Sequence, residues 1–360
     1  MLQQTHFDDK KSEIYAIFGN QAFERFKEYV HKEKINFYNL KPEVVSNWVS
    51  TLSSKIRDRI NFLMKTDPHF TLIRFHNFLI MYEYWARDGK HFHLDTDLAN
   101  MLVQTDVHKV KSFLVKLPFS SAYFTVPYDL VQLELTDDEG EVSHTCYAQG
   151  AYVSEIKDEK GTDYLRINTV MRIRNEKKPA KQEGEAAINL LLPINNNEDI
   201  FNILNKQLDE RFPLTPTKDV NNYNFAKNNR VIAERYLLLI VNSLLYLQSD
   251  KAILEQINIK KNKVNAKKSK KKHNKNNSKK TYLYIGEKVT INQAYKKVYE
   301  KLNNLENEGS GVKQYKGQWI VRGHWRNQPY GEALSQRKLI WIEPYVKGSG
   351  KITEKQYNIK

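Results

Sequence analysis

The residues best suited to chemistry lie near the carboxyl end, in two segments rich in aromatic and basic side chains. The first runs from Trp319 to Gly331 and the second from Arg337 to Lys347. Aromatic rings stack on planar groups, and guanidinium groups bind phosphates and carboxylates through paired hydrogen bonds. This density predicts a surface for anions or nucleotide bases. The alternative is a small β-module whose aromatic rings form its core.

One imidazole lies between two guanidinium groups in this cluster. On a strand, Arg322, His324 and Arg326 would share one face, and Trp325 would point to the opposite, packed face. The basic face could bind an anion. It could also cleave RNA without a metal, with His324 as acid or base and arginine stabilising the charge of the transition state. A structural role for His324 is the remaining interpretation.

The predicted binding site therefore draws on both segments. Its members combine a positive charge, an imidazole or an aromatic ring, and they are Arg322, His324, Trp325, Arg326, Tyr330, Arg337, Lys338 and Trp341. Trp341 would join Trp325 on the packed face if the register of the two strands allows it. No residue is assigned as catalytic, and His324 is the candidate if there is a reaction.

A second basic feature is the tract of residues 260–280, which contains eleven lysines and no acidic residue. Removing these eleven charges from the net charge of +15 leaves +4 for the rest of the chain. Such a tract repels itself and stays extended. It could hold phosphate backbones by releasing counterions, or it could be a solvated linker. The lysines at its centre are the predicted contacts: Lys267, Lys268, Lys270, Lys271 and Lys272.

Other reaction types find little support. His91 and His93 are two residues apart, as are His144 and Cys146, but a pair of loop hydrogen bonds and a buried thiol beside a polar imidazole are simpler interpretations. There is no glycine-rich phosphate loop and no nucleophile-elbow motif. A single cysteine excludes a disulfide framework and a multi-cysteine zinc site. We expect no metal and no cofactor.

The elements that must position these residues follow from hydrophobic periodicity, which predicts an α+β protein. Helices are predicted at 14–30, 41–65, 70–85, 107–116, 198–211, 226–249 and behind a capping box at Thr290. An antiparallel β-meander, with separate strands at 142–148 and 152–156, would pack on helices. The predicted organisation is a helical region at 1–116, a sheet with covering helices at 117–259, a Lys-rich linker at 260–280 and a C-terminal α/β-hairpin module at 281–360.

The sequence also bears on location. The first nine residues lack the basic and apolar regions of a secretory signal peptide. The longest apolar run, Tyr236 to Leu247, is too short to span a bilayer and contains Asn242 and Ser243. We therefore expect a cytoplasmic protein without a membrane partner.

Residues 236–348 resemble the C-terminal part of a protein family of phages and mobile genetic elements that includes a type V-A anti-CRISPR protein. The resemblance depends on Leu244–Leu247 after an apolar helix, on Ile285–Glu287, and above all on Arg322-Gly-His-Trp325 with Trp341 on the following basic strand. The Leu117-Pro118 and Val126-Pro127 steps match the middle of that family more weakly.

The resemblance implies an unusual activity. The characterised member recognises the nascent amino-terminal peptide of the CRISPR effector during translation and causes loss of its messenger RNA. This chain is therefore expected to be an anti-defence or regulatory protein of a phage or mobile element. Its expected partners are RNA or a ribosome-associated nascent chain, with a peptide of a host defence protein as a further candidate. The alternatives are a metal-free ribonuclease that uses His324 and a DNA-binding replication or maintenance factor.

Overall fold

The architecture is that of an α+β protein, in a computed structural model that describes residues 6–36, 40–66, 68–128, 130–136, 142–158, 160–175, 184–194, 196–212, 220–252, 254–259, 280–285, 317–347 and 351–352. The helices are α1 His6–Phe18, α2 Ala22–Lys32, α3 Pro42–Ser50, α4 Ser54–Thr66, α5 Pro68–Ala86, α6 Thr96–Val103, α7 Ile200–Arg211 and α8 Val220–Leu247. The predicted fold class is confirmed.

The strands follow in the same chain order. They are β1 Lys90–Leu94, β2 Thr105–Asp106, β3 Ser121–Thr125, β4 Gln132–Thr136, β5 Val142–Lys157, β6 Asp163–Asn175, β7 Gly184–Ala186, β8 Asn189–Pro193, β9 Leu254–Ile259, β10 Lys280–Ile285, β11 Gly317–Val321, β12 Gly323–Tyr330, β13 Gln336–Ile342, β14 Tyr345–Lys347 and β15 Lys351–Ile352.

Nine of these strands form the central sheet, in the order β7-β6-β5-β3-β1-β10-β9, with β4 on β5 and β8 on β6. The strands from β3 to β8 pair antiparallel, in agreement with the predicted antiparallel meander. The sheet as a whole is mixed, because β1 pairs in parallel with both β3 and β10. Sequence periodicity missed this because β10 is far from β1 along the chain.

The sheet lies between two helical layers, each with its own core. Helices α1 to α5 pack on one face around aromatic rings that include Phe78 and Trp48, and the sheet contributes Tyr123, Tyr152 and Val170 to this core. Helices α6 to α8 cover the other face and share their core with two tryptophans of the C-terminal segment. Because β5 and β6 supply residues to both cores, they connect the two layers.

Two predicted helices are each divided in the structure. The helix predicted at 14–30 is interrupted at Gly19, whose φ of +88° favours glycine, so α1 and α2 are separate. The helix predicted at 41–65 ends at Ser50 and restarts at Ser54. Ser50 donates its hydroxyl to the Asn47 carbonyl, and Thr51 donates to that of Trp48. These side chains compete with the helical backbone bonds and favour a break.

The prediction of a helix at 107–116 is wrong. Only a short 3-10 turn forms there, at Ser112–Leu114. The backbone of this segment pairs with residues 196–200 instead: the Ser112 amide donates to the Glu198 carbonyl, and the Ile200 amide donates to that of Val110. A distant segment therefore takes hydrogen bonds that the prediction had assigned within a helix.

The strands predicted at 142–148 and 152–156 are one long strand with an irregularity between Ala148 and Gly150. A Cβ at Gly150 would lie 2.2 Å from the Phe124 carbonyl oxygen, so only glycine fits. The hydroxyl of Tyr236 on α8 bonds the backbone at this irregularity: it accepts from the Gly150 amide at 2.8 Å and donates to the Val170 carbonyl at 2.9 Å. The strand thus continues through the irregularity with its backbone groups satisfied.

The Lys-rich tract connects two paired strands of the central sheet. Ile259 at the end of β9 is the partner of Lys280 at the start of β10. Residues 260–279, with Lys267, Lys268, Lys270, Lys271 and Lys272, lie outside the described residues, as does the predicted capping-box helix. The division at 260–280 and the independent folding of 281–360 stay predictions, although β10 itself belongs to the central sheet.

Candidate functional site

The site predicted at the carboxyl end is built on a β-hairpin. Strands β12 and β13 pair antiparallel from His324, opposite Ile342, to Tyr330, opposite Gln336. Trp325 and Trp341 are direct cross-strand partners, and their ring centroids are 6.3 Å apart. The register therefore puts both indoles on one face, as the sequence analysis expected for Trp341.

Both indoles are buried and fix the hairpin to the body of the protein. The Trp325 ring nitrogen donates to Asn242 Oδ1 at 2.7 Å, and that of Trp341 donates to Thr105 Oγ1 at 3.2 Å. Asn242 Nδ2 in turn donates to the carbonyls of Leu102 and Thr105, both at 2.9 Å. Each buried polar group thus has a partner, which a site in the core requires.

The glycine of the Arg-Gly-His-Trp motif permits this close approach. A Cβ on Gly323 would lie 2.6 Å from Thr105 Oγ1 and 2.9 Å from Pro344 Cδ. Gly323 pairs in parallel with Thr105, and His324 pairs with Asp106. Gly323 and Trp325 are therefore structural parts of the motif, which dock the hairpin on β2 and α8.

The other two motif residues, Arg322 and His324, are not part of the core. Arg322 and Arg326 are exposed, and His324 is half-buried. The strand predicted at 318–326 is divided at Arg322, because β11 pairs with β14 whereas β12 pairs with β13 and β2. His324 and Arg326 therefore alternate with buried Trp325 on one strand, and Arg322 is at the joint before it.

His324 has a carboxylate on the neighbouring strand. Its register partner Asp106 accepts from the His108 amide at 2.8 Å and also contacts His108 Nδ1. The His108 ring packs against Phe201 with the centroids 3.7 Å apart. Two imidazoles and one carboxylate thus occupy adjacent positions beside the arginines. Within the described ranges, no group of three His, Cys, Asp or Glu side chains is arranged to hold a metal ion.

The far end of the hairpin carries the remaining predicted residues. Tyr330 is 41% exposed, and Arg337 and Lys338 are exposed beside it. Lys338 Nζ donates to Asp250 at 2.8 Å and lies 5.7 Å from the centroid of the Tyr330 ring. The hydrogen bond to Asp250 raises the pKa of Lys338, so this lysine stays charged. Asp250 lies just after α8, and it ties the hairpin end to the body.

The other sequence candidates lie elsewhere. Cys146 is in the core against α8, and burial raises the pKa of its thiol, which disfavours a nucleophilic thiolate. His91 and His93 lie on β1 and not in the predicted loop; their rings stack at 4.4 Å, and His91 Nε2 contacts Thr125 Oγ1 at 2.6 Å. All three residues lie on strands of the central sheet, whereas the hairpin pairs with β2 in a separate sheet.

Sequence reasoning missed the residues that hold the hairpin in place. Asn242 entered the prediction only as a polar residue in an apolar run, and Thr105 and Asp106 were assigned no role. The signal available was Asn242 itself, since an amide inside a buried helix needs several hydrogen-bond partners. The amide oxygen of a buried asparagine can accept a hydrogen bond that an indole N–H of a later segment donates. The sequence does not determine which tryptophan forms this bond.

No helix in the described part of the chain is long and apolar enough to cross a membrane.

Comparisons with known proteins agree with the resemblance carried by the motif. The model of the family described as AcrVA2-like, anti-CRISPR type V subtype A2, matches residues 92–348, well over half of the chain. No curated protein sequence matches. A solved structure titled "Crystal structure of AcrVA2" shares 14% identity over 96% of this chain and 100% of that one, with a TM-score of 0.43, too low to support further argument. On the strength of the family match, this chain belongs to the AcrVA2-like family of type V-A anti-CRISPR proteins.

Proposed function

We propose that this protein opposes a type V-A CRISPR defence by binding RNA through the exposed basic side of the β12–β13 hairpin. The observation that carries the proposal is the contrast between the two sides of the hairpin. One side is locked into the core by Trp325 and Trp341, and the other carries Arg326 together with Lys338 and Tyr330. Exposed Arg322 precedes β12, and exposed Arg337 lies at the far end of the hairpin, on the side of the tryptophans. Rigid positioning of guanidinium groups lowers the entropy lost on binding a phosphate backbone.

The state of these arginines supports a role in binding. In the described part of the chain, none of Arg322, Arg326 and Arg337 forms an ion pair with an acidic side chain. The nearby lysines differ: Lys338 is held by Asp250, and Lys251 pairs with Glu343 at 2.7 Å. Among the described residues, no acidic side chain has to leave before these arginines bind an anion. The eleven lysines of residues 260–280 would add affinity without sequence preference.

The test is binding of a fluorescent single-stranded RNA as a function of salt. Each phosphate contact that is lost should reduce the salt slope by about 0.7. Arg322→Ala and Arg326→Ala should each lower affinity and slope, whereas Lys206→Ala, an exposed cation on α7, should change neither. The same variants should lose protection of a target plasmid in cells with a type V-A system. Equal salt slopes for wild type and both arginine variants would refute the proposal.

The ribonuclease alternative has one specific observation in its favour, the position of Asp106 and His108 beside His324. A metal-free reaction needs one group to take the proton of the 2′-hydroxyl and another to protonate the leaving oxygen. Incubation of labelled RNA with EDTA decides the matter. Cleavage that His324→Ala abolishes while RNA affinity is retained would favour the enzyme, and intact RNA would favour binding alone.

A second candidate partner is a peptide of a host defence protein, which we propose would add to strand β8. The Leu191 amide donates to Gln207 Oε1 at 3.0 Å, and the Leu191 carbonyl accepts from Gln207 Nε2. This side-chain amide satisfies the strand as a neighbouring peptide group would, and Leu191 is 39% exposed. A peptide that displaces Gln207 would use β-strand addition. Gln207→Ala should then tighten peptide binding, and unchanged affinity would count against this site.

A further inference from the structure

Helix α4 has the highest net positive charge of the described helices and strands, with four lysines and arginines against one acid. The side chains that pack into the core of the α1–α5 layer are Ile56, Ile60 and Leu63. Every other residue of α4 is exposed. Its first turn contains no acid, although the helix dipole favours acids there and disfavours a cation such as Lys55. Proteins break such local rules mostly at functional sites.

One exposed stripe of α4 combines most of this charge with an aromatic ring. Residues four and three apart lie on the same face of a helix. We name the residues at this spacing the basic stripe, and they are Lys55, Arg59, Phe62 and Lys65. Phe62 is 65% exposed, the highest value among the large apolar side chains of the described residues. A ring that packs on nothing and is flanked by cations is available to a planar anionic ligand.

The carboxyl end of α1 brings a further guanidinium group to the stripe. Arg59 Nη1 donates to the Ala16 carbonyl. Arg25 Nη2, from α2, donates to the carbonyls of Phe18 at 3.1 Å and Asn20 at 2.7 Å. Such bonds cap the last carbonyls of a helix and account for one nitrogen of each arginine. Because the partners are carbonyl oxygens and not carboxylates, both arginines keep their charge and their other N–H donors.

The acids of this region do not neutralise the stripe. Helices α2 and α4 together contain seven lysines and arginines and three acids, which leaves a net charge of +4. The three acids are Glu24, Glu28 and Asp58. Among the described residues, none of them forms an ion pair with Arg25 or with a cation of the stripe. Glu13, the last acid of α1, is already held by Lys10 at 2.8 Å and Arg74 at 3.3 Å.

We propose that the basic stripe binds single-stranded RNA, with a base stacked on Phe62 and phosphates at Lys55 and Arg59. The inference rests on the proposed RNA-binding function and adds a second contact, in the helical layer on the other side of the central sheet from the β12–β13 hairpin. Proteins that bind single strands without sequence preference combine cations along the backbone with a ring on which a base stacks. Bases of a single strand can turn outward onto such a ring, whereas bases in a duplex stay stacked on each other.

The experiment measures the affinity and the salt slope for fluorescent oligouridine with the full-length chain. Phe62→Ala should weaken binding about 5- to 150-fold, the range for loss of one stacked base, with the salt slope unchanged. Phe62→Tyr keeps the ring and should bind like the wild type. Lys55→Ala should reduce the slope by about 0.7. Asp58→Asn removes the acid one turn before the ring and should strengthen binding.

Two residues of the same helix provide matched controls. Arg57 and Met64 are exposed, and each is two residues from a member of the stripe, which puts it about 160° away around the helix. Arg57→Ala and Met64→Ala should therefore change neither the affinity nor the slope. If they weaken binding as much as Lys55→Ala and Phe62→Ala do, the effect is not confined to the stripe and the inference is refuted.

The outcomes also separate this inference from the proposed function. If Arg322→Ala and Arg326→Ala weaken binding while the stripe variants do not, the hairpin binds RNA and the stripe inference is refuted. If only the stripe variants weaken binding, the inference stands and the hairpin proposal fails. Stripe variants that keep RNA affinity but lose plasmid protection would make α4 a contact for a protein and overturn the inference. A wild-type chain that binds no RNA at low salt refutes both.

Discussion

Replacement of Trp325 by alanine tests whether the Arg-Gly-His-Trp motif separates into a structural part and a binding part. The indole is 6% exposed, and its N–H is held by Asn242 Oδ1 at 2.7 Å. Truncation of a buried tryptophan to alanine costs about 3–5 kcal/mol. The variant also leaves Asn242 Oδ1 buried without that donor, which adds about 1–3 kcal/mol. The expected loss is therefore about 4–8 kcal/mol, comparable to the whole stability of many domains.

Two matched variants divide this loss into its causes. Trp325→Phe keeps most of the ring but removes the donor, so it should lose about 1–3 kcal/mol. Arg326→Ala, the exposed neighbour on the same strand, should change stability by about 0.5 kcal/mol or less while it weakens RNA binding. Urea unfolding followed by far-UV circular dichroism, which does not depend on the altered tryptophan, measures all three variants.

The reasoning fails if the order of the variants is reversed. A Trp325→Ala protein that is as stable as wild type but binds no RNA would make Trp325 a ligand-stacking residue. An Arg326→Ala protein that unfolds at lower urea than Trp325→Ala would show that the assignment of buried and exposed faces is inverted.

Three further predictions concern other parts of the fold. Replacement of residues 260–279 by an Asn-Gly turn should leave thermal stability unchanged, since the strand ends are already paired, but flatten the salt dependence of RNA binding because ten lysines are lost. Arg166→Met should lower the free energy of unfolding in urea by about 3–5 kcal/mol, because Glu83, which is 2% exposed, loses its buried ion-pair partner. Adding Glu83→Gln to this variant should restore part of the lost stability, since the buried charge is then removed. Burial lowers the pKa of His93 to about 4, whereas an unfolded histidine has a pKa of about 6.5. The contribution of His93 to the free energy of unfolding is therefore complete above about pH 6.5 and is lost as the pH falls toward 4. His93→Gln should make urea unfolding less sensitive to pH between about 7 and 5.

The contact between α5 and the sheet shows a limit of sequence prediction. The helix was predicted from its apolar character, yet its contact with the sheet includes polar pairs beside the aromatic core. Glu83 is bonded to Arg166 and accepts from Ser154 Oγ at 3.3 Å, and His76 Nε2 contacts Asn189 Nδ2 at 3.0 Å. Their partners lie 71 to 113 residues away along the chain. Local periodicity contains no information about such distant pairs.

The sequence by itself determined the class of fold, the long apolar helices, most antiparallel strands and the family, because these depend on periodicity and on a short motif. It also identified which residues of the motif carry charge and which carry rings. The tertiary structure decided the pairing of β1 with β10 and the burial of Trp325 and Trp341 through Asn242 and Thr105. Each of these joins segments distant along the chain, and such contacts form only when the whole core is packed.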